Sequence, residues 1–249
     1  MFVCASTECF HSLPLREALD RLVDLEYSAV EVTLFDGGPQ LTPTQVAADL
    51  ERSVAMCRDT NRLDLAAYDV RIDATGEEHY KRFTSCCQLA KATKVVTITV
   101  PSAELGTPFN EEVEHLRKLV AIAELHGVRV SIKSQVGRLS EDPDTVIVLC
   151  ENVKGLGLTL DPTHYLCTPL KIKSTDKLIP YVFHVHLRDS TKSAPQVRIG
   201  QGEIEYGKLI GQLRKVKYNR SLSVNVTEID GVDHSSEMRK MRLLLESLL

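Results

Sequence analysis

The amino-acid sequence predicts a single (β/α)8 TIM barrel, an α/β fold. Strand-like and helix-like segments alternate eight times over 249 residues, and no linker or low-complexity segment separates them. Each pair of segments takes about 30 residues, and barrels of this kind typically contain about 250. The strands are also apolar on one face and polar on the other. These observations favour one domain that spans residues 1–249.

The first four units each consist of an apolar strand followed by a helix with recognisable end signals. Pro14 falls in the first turn of a helix, where the missing amide proton is harmless, and Gly127 suits a carboxyl cap. Predicted strands cover 1–7, 27–34, 63–70 and 94–100. Predicted helices follow Ser12, run from Thr42 to about 60, cover 77–92 and extend from an Asn110 cap to 126.

The second four units repeat the scheme. Predicted strands cover 128–135, 155–161, 181–189 and 221–227. Predicted helices cover 142–152, 170–179, 205–216 and 235–248. The helix at 170–179 has the poorest periodicity and is expected to be short.

The parity of the strands favours a closed barrel over an open, doubly wound sheet. In strand seven Phe183 and Val185 alternate with His184 and His186, and strands two, four, six and eight alternate in the same way. Parallel strands covered by helices on both faces should be apolar on both faces. We therefore expect the polar side chains to point into the barrel interior, which is open to water at one end.

Charge and hydropathy narrow the classes of partner. A formal net charge of -4 and a pI near 6.1 give the whole molecule no attraction for nucleic acid or an anionic membrane. No segment approaches the roughly 18 apolar residues of a membrane span, and the chain begins without a charged leader, so we expect a cytoplasmic protein. The seven cysteines lack paired metal spacing and are expected to be reduced core residues.

The functional site of such a barrel lies at the carboxyl ends of its strands. The last inward residues of five strands are therefore candidates, together with three residues in the loops just beyond. The strand residues are Glu31, Lys133, Asp161, His186 and Asn225, and the loop residues are Gln135, His164 and Arg188. Structural alternatives are Glu31 as a strand-end partner of a lysine, His184 as a hydrogen-bonded core residue, and Arg188 with Asp189 as a surface ion pair.

Three motifs follow one another in the second half of the chain. Asp161-Pro-Thr-His164 follows a GLGLTL strand, VFHVHLRD forms the next strand, and Ile199-Gly-Gln-Gly-Glu-Ile204 precedes a helix. This ordered set resembles the xylose isomerase-like TIM-barrel superfamily of sugar-phosphate isomerases and epimerases, which also contains endonuclease IV. The resemblance of the first half is architectural, with Ala29-Val-Glu31 as its best match.

The resemblance implies a metal site that this sequence retains only in part. In the family a divalent ion, commonly manganese or magnesium, is held by glutamates that end strands five and eight, by the aspartate of the first motif and by the strand-seven histidine. Asp161 and His186 match two of these ligand positions, whereas Lys133 and Asn225 occupy the glutamate positions. An ammonium group repels a dication. We therefore expect no tightly bound metal and no cofactor, with only weak manganese or magnesium binding left open.

The leading hypothesis is a sugar isomerase or epimerase that acts without a tightly bound metal on a small polyhydroxylated or keto-sugar substrate. Its expected catalytic residues are Lys133, Asp161 and His186, with Lys133 facing Asp161 as an electrostatic stabiliser or a base. Its expected substrate-binding residues are Glu31, Gln135, His164, Arg188 and Asn225. The backbone amides of Gly200-Gln-Gly202 are either a phosphate or hydroxyl site or a simple loop.

Two other functions remain open. The resemblance also fits a non-catalytic sugar-binding or regulatory barrel descended from such enzymes. A nuclease like endonuclease IV is the third reading. It would need further histidine and acidic zinc ligands, and the strand ends offer Tyr68 or Asp69 and Thr99 instead of a histidine series.

Overall fold

A computed structural model describes residues 1–170, 172 and 174–249. Eight parallel strands form a closed barrel in chain order, and the last strand pairs with the first. The (β/α)8 prediction is thus confirmed. The strands are β1 (Phe2–Ser6), β2 (Ala29–Phe35), β3 (Asp64–Arg71), β4 (Thr97–Pro101), β5 (Arg129–Lys133), β6 (Leu156–Leu160), β7 (Val182–Leu187) and β8 (Ser221–Val224).

The helices surround this barrel. They are α1 (Leu15–Asp24), α2 (Pro43–Ala48), α3 (Leu50–Arg58), α4 (Gly76–Ala92), α5 (Phe109–Glu124), α6 (Pro143–Asn152), α7 (Pro162–Leu166), α8 (Tyr206–Lys215) and α9 (His234–Glu246). Short 3₁₀ helices lie at Thr7–Phe10, Leu139–Glu141 and Asp176–Tyr181.

Three helix boundaries differ from the sequence prediction. The single helix expected from Thr42 is broken at Asp49, whose extended backbone and side chain, which accepts from the Arg52 amide, start α3. Helix α5 begins after Pro108 instead of an Asn110 cap. In place of the helix expected at 170–179, the structure has α7 and the 3₁₀ helix Asp176–Tyr181, while residues 171 and 173 lie outside the described residues.

Hydrogen bonds across the interior confirm that the polar face points inward. Thr159 Oγ1 lies 2.7 Å from Thr99 Oγ1 and 2.6 Å from Ser131 Oγ, which joins β6 to both β4 and β5. The intervening apolar residues are buried under the helices, as Val130 and Leu158 illustrate. Parity therefore brings the polar strand-end residues to one place.

Phe183 is an exception to the predicted parity. The register between β6 and β7 shifts between Leu158 and Thr159. Leu158 pairs with Val182 and Thr159 pairs with His184, so Phe183 is an extra residue of β7 that pairs with no residue of β6. Its ring covers the inward face of Gly157, where a Cβ atom would lie 2.3 Å from the ring. The glycine therefore provides the space that the aromatic ring fills.

Two structural findings concern membrane-spanning helices and the state of the cysteines. Within the part of the chain that the structure describes, no helix is both long and apolar enough to cross a membrane. All seven cysteines lie among the described residues as free thiols, and six of them are buried.

We predict that Gly157→Ala lowers the free energy of unfolding by about 1–3 kcal/mol, because the added methyl group overlaps the Phe183 ring. The matched control is Gly211→Ala in α8, where a new Cβ meets nothing within 4 Å. The control should raise stability by up to about 1 kcal/mol, since alanine restricts the unfolded chain. Urea denaturation measures both changes, and equal effects at the two sites would contradict the packing argument.

Candidate functional site

A cavity of about 270 Å³ opens at the carboxyl ends of the strands and is called the mouth cavity below. Strand ends and the loops that follow them contribute its walls. Its charged lining residues are Glu8, Asp69, Arg71, Lys133, Arg138 and Arg188. Uncharged polar groups come from Gln135, His164, Asn225 and Thr227.

Lys133 ends β5 and places its ammonium group in the mouth cavity. Its Nζ atom donates a hydrogen bond of 3.0 Å to Oδ2 of Asp69, which lies on β3. Burial lowers the pKa of Lys133, but the charge and hydrogen bond of Asp69, together with the charge of Glu31, outweigh burial and raise the pKa above its ordinary value. Lys133 is therefore a fixed cation at neutral pH, and this state suits electrostatic stabilisation instead of the base or Schiff-base role.

Asp161, which was expected to face Lys133, pairs with Arg188 instead. Its Oδ2 atom accepts a 2.6 Å hydrogen bond from Nη2 of Arg188, and its Oδ1 atom accepts one from the Thr163 amide at the start of α7. Burial raises the pKa of the Asp161 carboxyl, but the Arg188 charge opposes this effect and holds the pKa well below its usual range. Asp161 is fully buried and thus anchors the guanidinium that reaches the cavity.

Glu31 forms a second buried cluster inside the barrel with two histidines of β7. Its Oε1 atom lies 2.9 Å from His186 Nε2 and 3.0 Å from His184 Nε2, while Ser223 donates a 2.6 Å hydrogen bond to Oε2. Burial raises the pKa of Glu31, but these neighbours outweigh burial and keep the pKa well below its ordinary value. Burial also lowers the pKa of His186, so the imidazole is neutral and donates to the carboxylate.

Asn225 follows β8 and lines the mouth cavity with its amide. The side chain is only 3% exposed, and its Nδ2 atom has no hydrogen-bond partner among the described residues. A buried donor without a partner costs stability unless a ligand or water accepts from it. Asn225 therefore offers a binding position for a ligand oxygen.

The glycine loop before α8 is used internally. The amides of Gly200 and Gly202 both donate to Oδ2 of Asp189, at 2.7 and 3.0 Å. A Cβ atom on Gly202 would lie 2.0 Å from Asp189 Oδ1, so this position requires glycine. The structural reading of Gly200-Gln-Gly202 as a simple loop therefore fits, and Asp189 is a buried acceptor instead of a surface partner of Arg188.

A family model described as the xylose isomerase-like TIM barrel matches residues 19–243. This chain belongs to that family. A curated relative, the uncharacterized protein MJ1311 of Methanocaldococcus jannaschii, is 24% identical over 134 residues. That match covers 50% of this chain and 46% of the relative, so the chain spans less than half of the relative's length.

Solved structures of family members share the complete barrel. L-ribulose 3-epimerase superimposes with a TM-score of 0.77 at 15% identity, over 100% of this chain and 96% of that one. D-allulose 3-epimerase from Methylomonas sp. gives 0.76 at 11% identity, with coverages of 100% and 98%. The 3-keto-D-glucoside 4-epimerase of E. coli gives 0.76 at 15% identity, with 99% of both chains covered. At these identities the likeness demonstrates the fold alone.

The positions at which the xylose isomerase-like family holds its metal do not fit a divalent ion here. Lys133 contributes an ammonium, and Asn225 contributes a neutral amide. Of the two matching ligands, Asp161 is bound to Arg188, and His186 directs Nε2 at Glu31. One cation and one neutral amide thus stand where the family has two glutamates, and the Lys133 charge opposes cation binding.

Another group could hold a metal ion. Glu31, His184 and His186 each bring one ligand atom within 4.8 Å of the others, and two imidazoles with one carboxylate form a set that transition metals accept. All three side chains are buried, and none lines the mouth cavity. An ion bound by these three residues would therefore not contact a substrate in the mouth cavity.

The structure separates the predicted site residues into two sets. Residues that line the mouth cavity are Lys133, Gln135, His164, Arg188 and Asn225. Residues that are buried and do not line it are Glu31, Asp161 and His186. The buried set supports the lining set, as Asp161 does for Arg188.

Sequence reasoning did not select four charged residues of the cavity. Asp69 was detectable by parity, since it pairs with Thr33 and Thr99, which lie on the inward faces of β2 and β4. Arg71 lies two residues further along the same strand. Glu8 and Arg138 lie outside the strands, where no periodicity indicates the direction of a side chain.

We predict that Asp161→Asn lowers the free energy of unfolding by about 3–5 kcal/mol at pH 7, because it leaves the Arg188 charge without its buried partner. The control is Glu78→Gln, which removes an exposed partner of Arg82 and should cost no more than about 1 kcal/mol. Urea denaturation measures both variants.

The difference in unfolding free energy between wild type and Asp161→Asn depends on pH. Since the folded pKa of Asp161 is depressed, its contribution is complete above the unfolded pKa of about 3.9 and decreases as the pH falls below that value. The wild-type advantage over Asp161→Asn should therefore shrink in acid. An advantage that persisted unchanged well below pH 3.9 would contradict the assignment.

Proposed function

We propose that this protein is a sugar isomerase or epimerase that moves a proton between carbons of a small keto-sugar without a metal ion in the mouth cavity. The observation that carries the proposal is the Lys133 ammonium, fixed by Asp69 at the place where the family has a metal-binding glutamate. The sugar epimerases among the similar structures support the substrate class. Its free thiols support action in a reducing compartment, the cytoplasm.

Lys133 supplies the positive charge that the reaction needs. Removal of a proton from the carbon next to the carbonyl forms a carbon–carbon double bond, and the carbonyl electron pair moves onto oxygen. The resulting enediolate oxygen is stabilised by the ammonium group, which is already oriented by Asp69 and costs no reorganisation. Because the pKa of Lys133 is raised, its charge persists throughout the reaction.

Glu8 is the proposed proton carrier. It lines the mouth cavity with Lys133, and burial raises the pKa of its carboxyl towards the range in which a general base works near neutral pH. Return of the proton to the neighbouring carbon, with transfer of the hydroxyl proton to the enediolate oxygen, gives isomerisation. Epimerisation also requires delivery to the opposite face, for which the lining imidazole of His164 is the proposed carrier: it takes a proton from solvent, and because burial lowers its pKa, the imidazolium readily donates that proton to the carbon.

Polar groups around these two residues are proposed to orient the substrate. Asn225 offers its unpartnered amide N–H to a sugar oxygen, and Arg188 presents a guanidinium held by Asp161. Gln135 adds an amide at the cavity wall. A keto-sugar has one oxygen for nearly every carbon, which matches a small cavity lined mostly by donors.

A non-catalytic sugar-binding barrel is the second candidate. The observation that favours it is the replacement of both family glutamates, which carry the proton in the resembling enzymes, by Lys133 and Asn225. Binding without proton exchange across the sugars below would select this function.

We predict that Lys133→Met lowers the rate of proton exchange by about a hundredfold or more, because it removes the charge that stabilises the enediolate. The assay follows loss of carbon-bound hydrogen from D-ribulose, D-xylulose, D-fructose and their phosphates in D₂O by proton NMR. Lys133→Arg keeps a cation and should retain more activity than Lys133→Met. The control Lys208→Met removes an exposed lysine of α8 that is outside the cavity. An unchanged rate in Lys133→Met would refute the role.

We predict that exchange decreases as the pH falls through the raised pKa of Glu8, since only its ionised form accepts a proton. The charged groups that face Glu8 are Lys133, Asp69, His11 and Arg71. Glu8→Gln should abolish exchange and keep ligand affinity, whereas Glu8→Asp should keep a weaker acid limb in the pH profile. A full wild-type profile in Glu8→Gln would exclude Glu8 as the carrier.

A further inference from the structure

The mouth cavity concentrates positive charge on a chain whose formal net charge is -4. Four cationic residues and two carboxylates line it. A neutral keto-sugar needs hydrogen bonds but no net charge in its site. An excess of cations at the site therefore needs an explanation of its own.

The two cations at the floor of the cavity are neutralised within the protein. Lys133 lies 3.0 Å from Asp69, and Arg188 lies 2.6 Å from Asp161. The side chains of both acids are nearly or fully buried, at 3% and 0% exposed. Each pair places one positive and one negative charge close together, so the floor adds little net charge at the distance of the rim, while the Lys133 ammonium still acts on an oxygen in contact with it.

The other two cations, Arg71 and Arg138, form weak ion pairs and are called the rim arginines; Arg71 also faces the Glu8 carboxyl, which lines the same cavity. Arg71 lies 3.9 Å from Asp73, and Arg138 lies 3.7 Å from Glu104. The side chains of both acids are mainly in solvent, at 68% and 80% exposed. Ion pairs of this kind contribute little, so both guanidinium groups retain charge that a ligand can use.

The rim arginines are also held in place by contacts other than ion pairs. The Arg71 guanidinium lies 4.5 Å from the centre of the Phe35 ring, and Phe35 pairs with Arg71 in the register of β2 and β3. Arg138 donates a 2.7 Å hydrogen bond from Nη1 to the Ser102 carbonyl. Such contacts reduce the entropy that a guanidinium loses on binding an anion.

We propose that the substrate carries an anionic group, a carboxylate or a phosphate, which binds between the rim arginines while its carbonyl end lies against Lys133. Guanidinium groups bind both anions through paired charge-assisted hydrogen bonds. This inference rests on the proposed function, because it specifies the substrate class for the same cavity. It assigns Arg71 and Arg138 to specificity and leaves proton transfer to Glu8 and His164, with Lys133 as the electrostatic stabiliser.

The test compares neutral and anionic six-carbon sugars, with inorganic phosphate as the anion alone. Isothermal titration calorimetry is run with D-fructose, D-fructose 6-phosphate, D-glucuronate and inorganic phosphate. Wild type should bind an anionic sugar about tenfold or more tightly than D-fructose, and Arg71→Gln with Arg138→Gln should abolish that preference. The sugar phosphate and the sugar acid distinguish the two anions.

A charge-matched control separates the rim from the general charge of the molecule. The control carries Arg16→Gln and Arg117→Gln, two exposed arginines of α1 and α5 that lie outside the cavity, and it should keep the wild-type preference. Circular dichroism confirms folding, and the single variant Arg71→Gln keeps the Arg138 contact to Ser102 if the double variant fails to fold.

The outcomes distinguish this inference from the proposed function. Proton exchange on neutral sugars, with equal affinity for neutral and anionic ligands, overturns the inference and leaves the proposed function in place. Phosphate binding that depends on the rim arginines, without exchange on any sugar, supports the anion site and overturns the proposed function. Equal anion affinity in wild type and the double variant also overturns the inference.

Discussion

The pairing of Lys133 with Asp69 is the interaction on which the candidate site depends. A lysine inside a barrel is costly unless an acid lies beside it, and Asp69 supplies that acid from a strand two places away. The same constraint recurs in the pair of Asp161 with Arg188 and in the contacts of Glu31 with the β7 histidines. The interior of this barrel therefore contains charges that are compensated by protein groups, where related barrels are expected to use a metal ion.

Compensation also determines which residues can do chemistry. Asp69 keeps Lys133 protonated, which gives it the constant charge of an oxyanion stabiliser but removes it as a proton acceptor. Asp161 is bound to Arg188 below the cavity surface, and His186 directs Nε2 at Glu31 and leaves Nδ1 without a partner among the described residues. In the proposed reaction the proton moves through groups whose state can change, and Glu8 and His164 are the candidates with cavity access and shifted pKa values.

Much of this arrangement could be predicted from the sequence, and the rest could not be predicted for physical reasons. Alternation along the strands was sufficient to predict the barrel and to bring Lys133, Arg188 and Asn225 to the mouth. It could not predict partners, because these depend on which strands lie beside and across from each other and on register shifts such as the one that displaces Phe183. Loop residues such as Arg138 follow no period, and their positions require the folded loops.

The central claim is that a protein cation replaces the metal ion of the mouth, and proton exchange after metal removal tests it most directly. Wild type is dialysed against EDTA, its metal content is measured by elemental analysis, and exchange of sugar hydrogen with D₂O is followed with and without added Mn²⁺ or Mg²⁺. We predict an exchange rate that is unaffected by metal removal and addition and is lost in Lys133→Met. A rate that disappears with the ion and returns when Mn²⁺ or Mg²⁺ is added would contradict it.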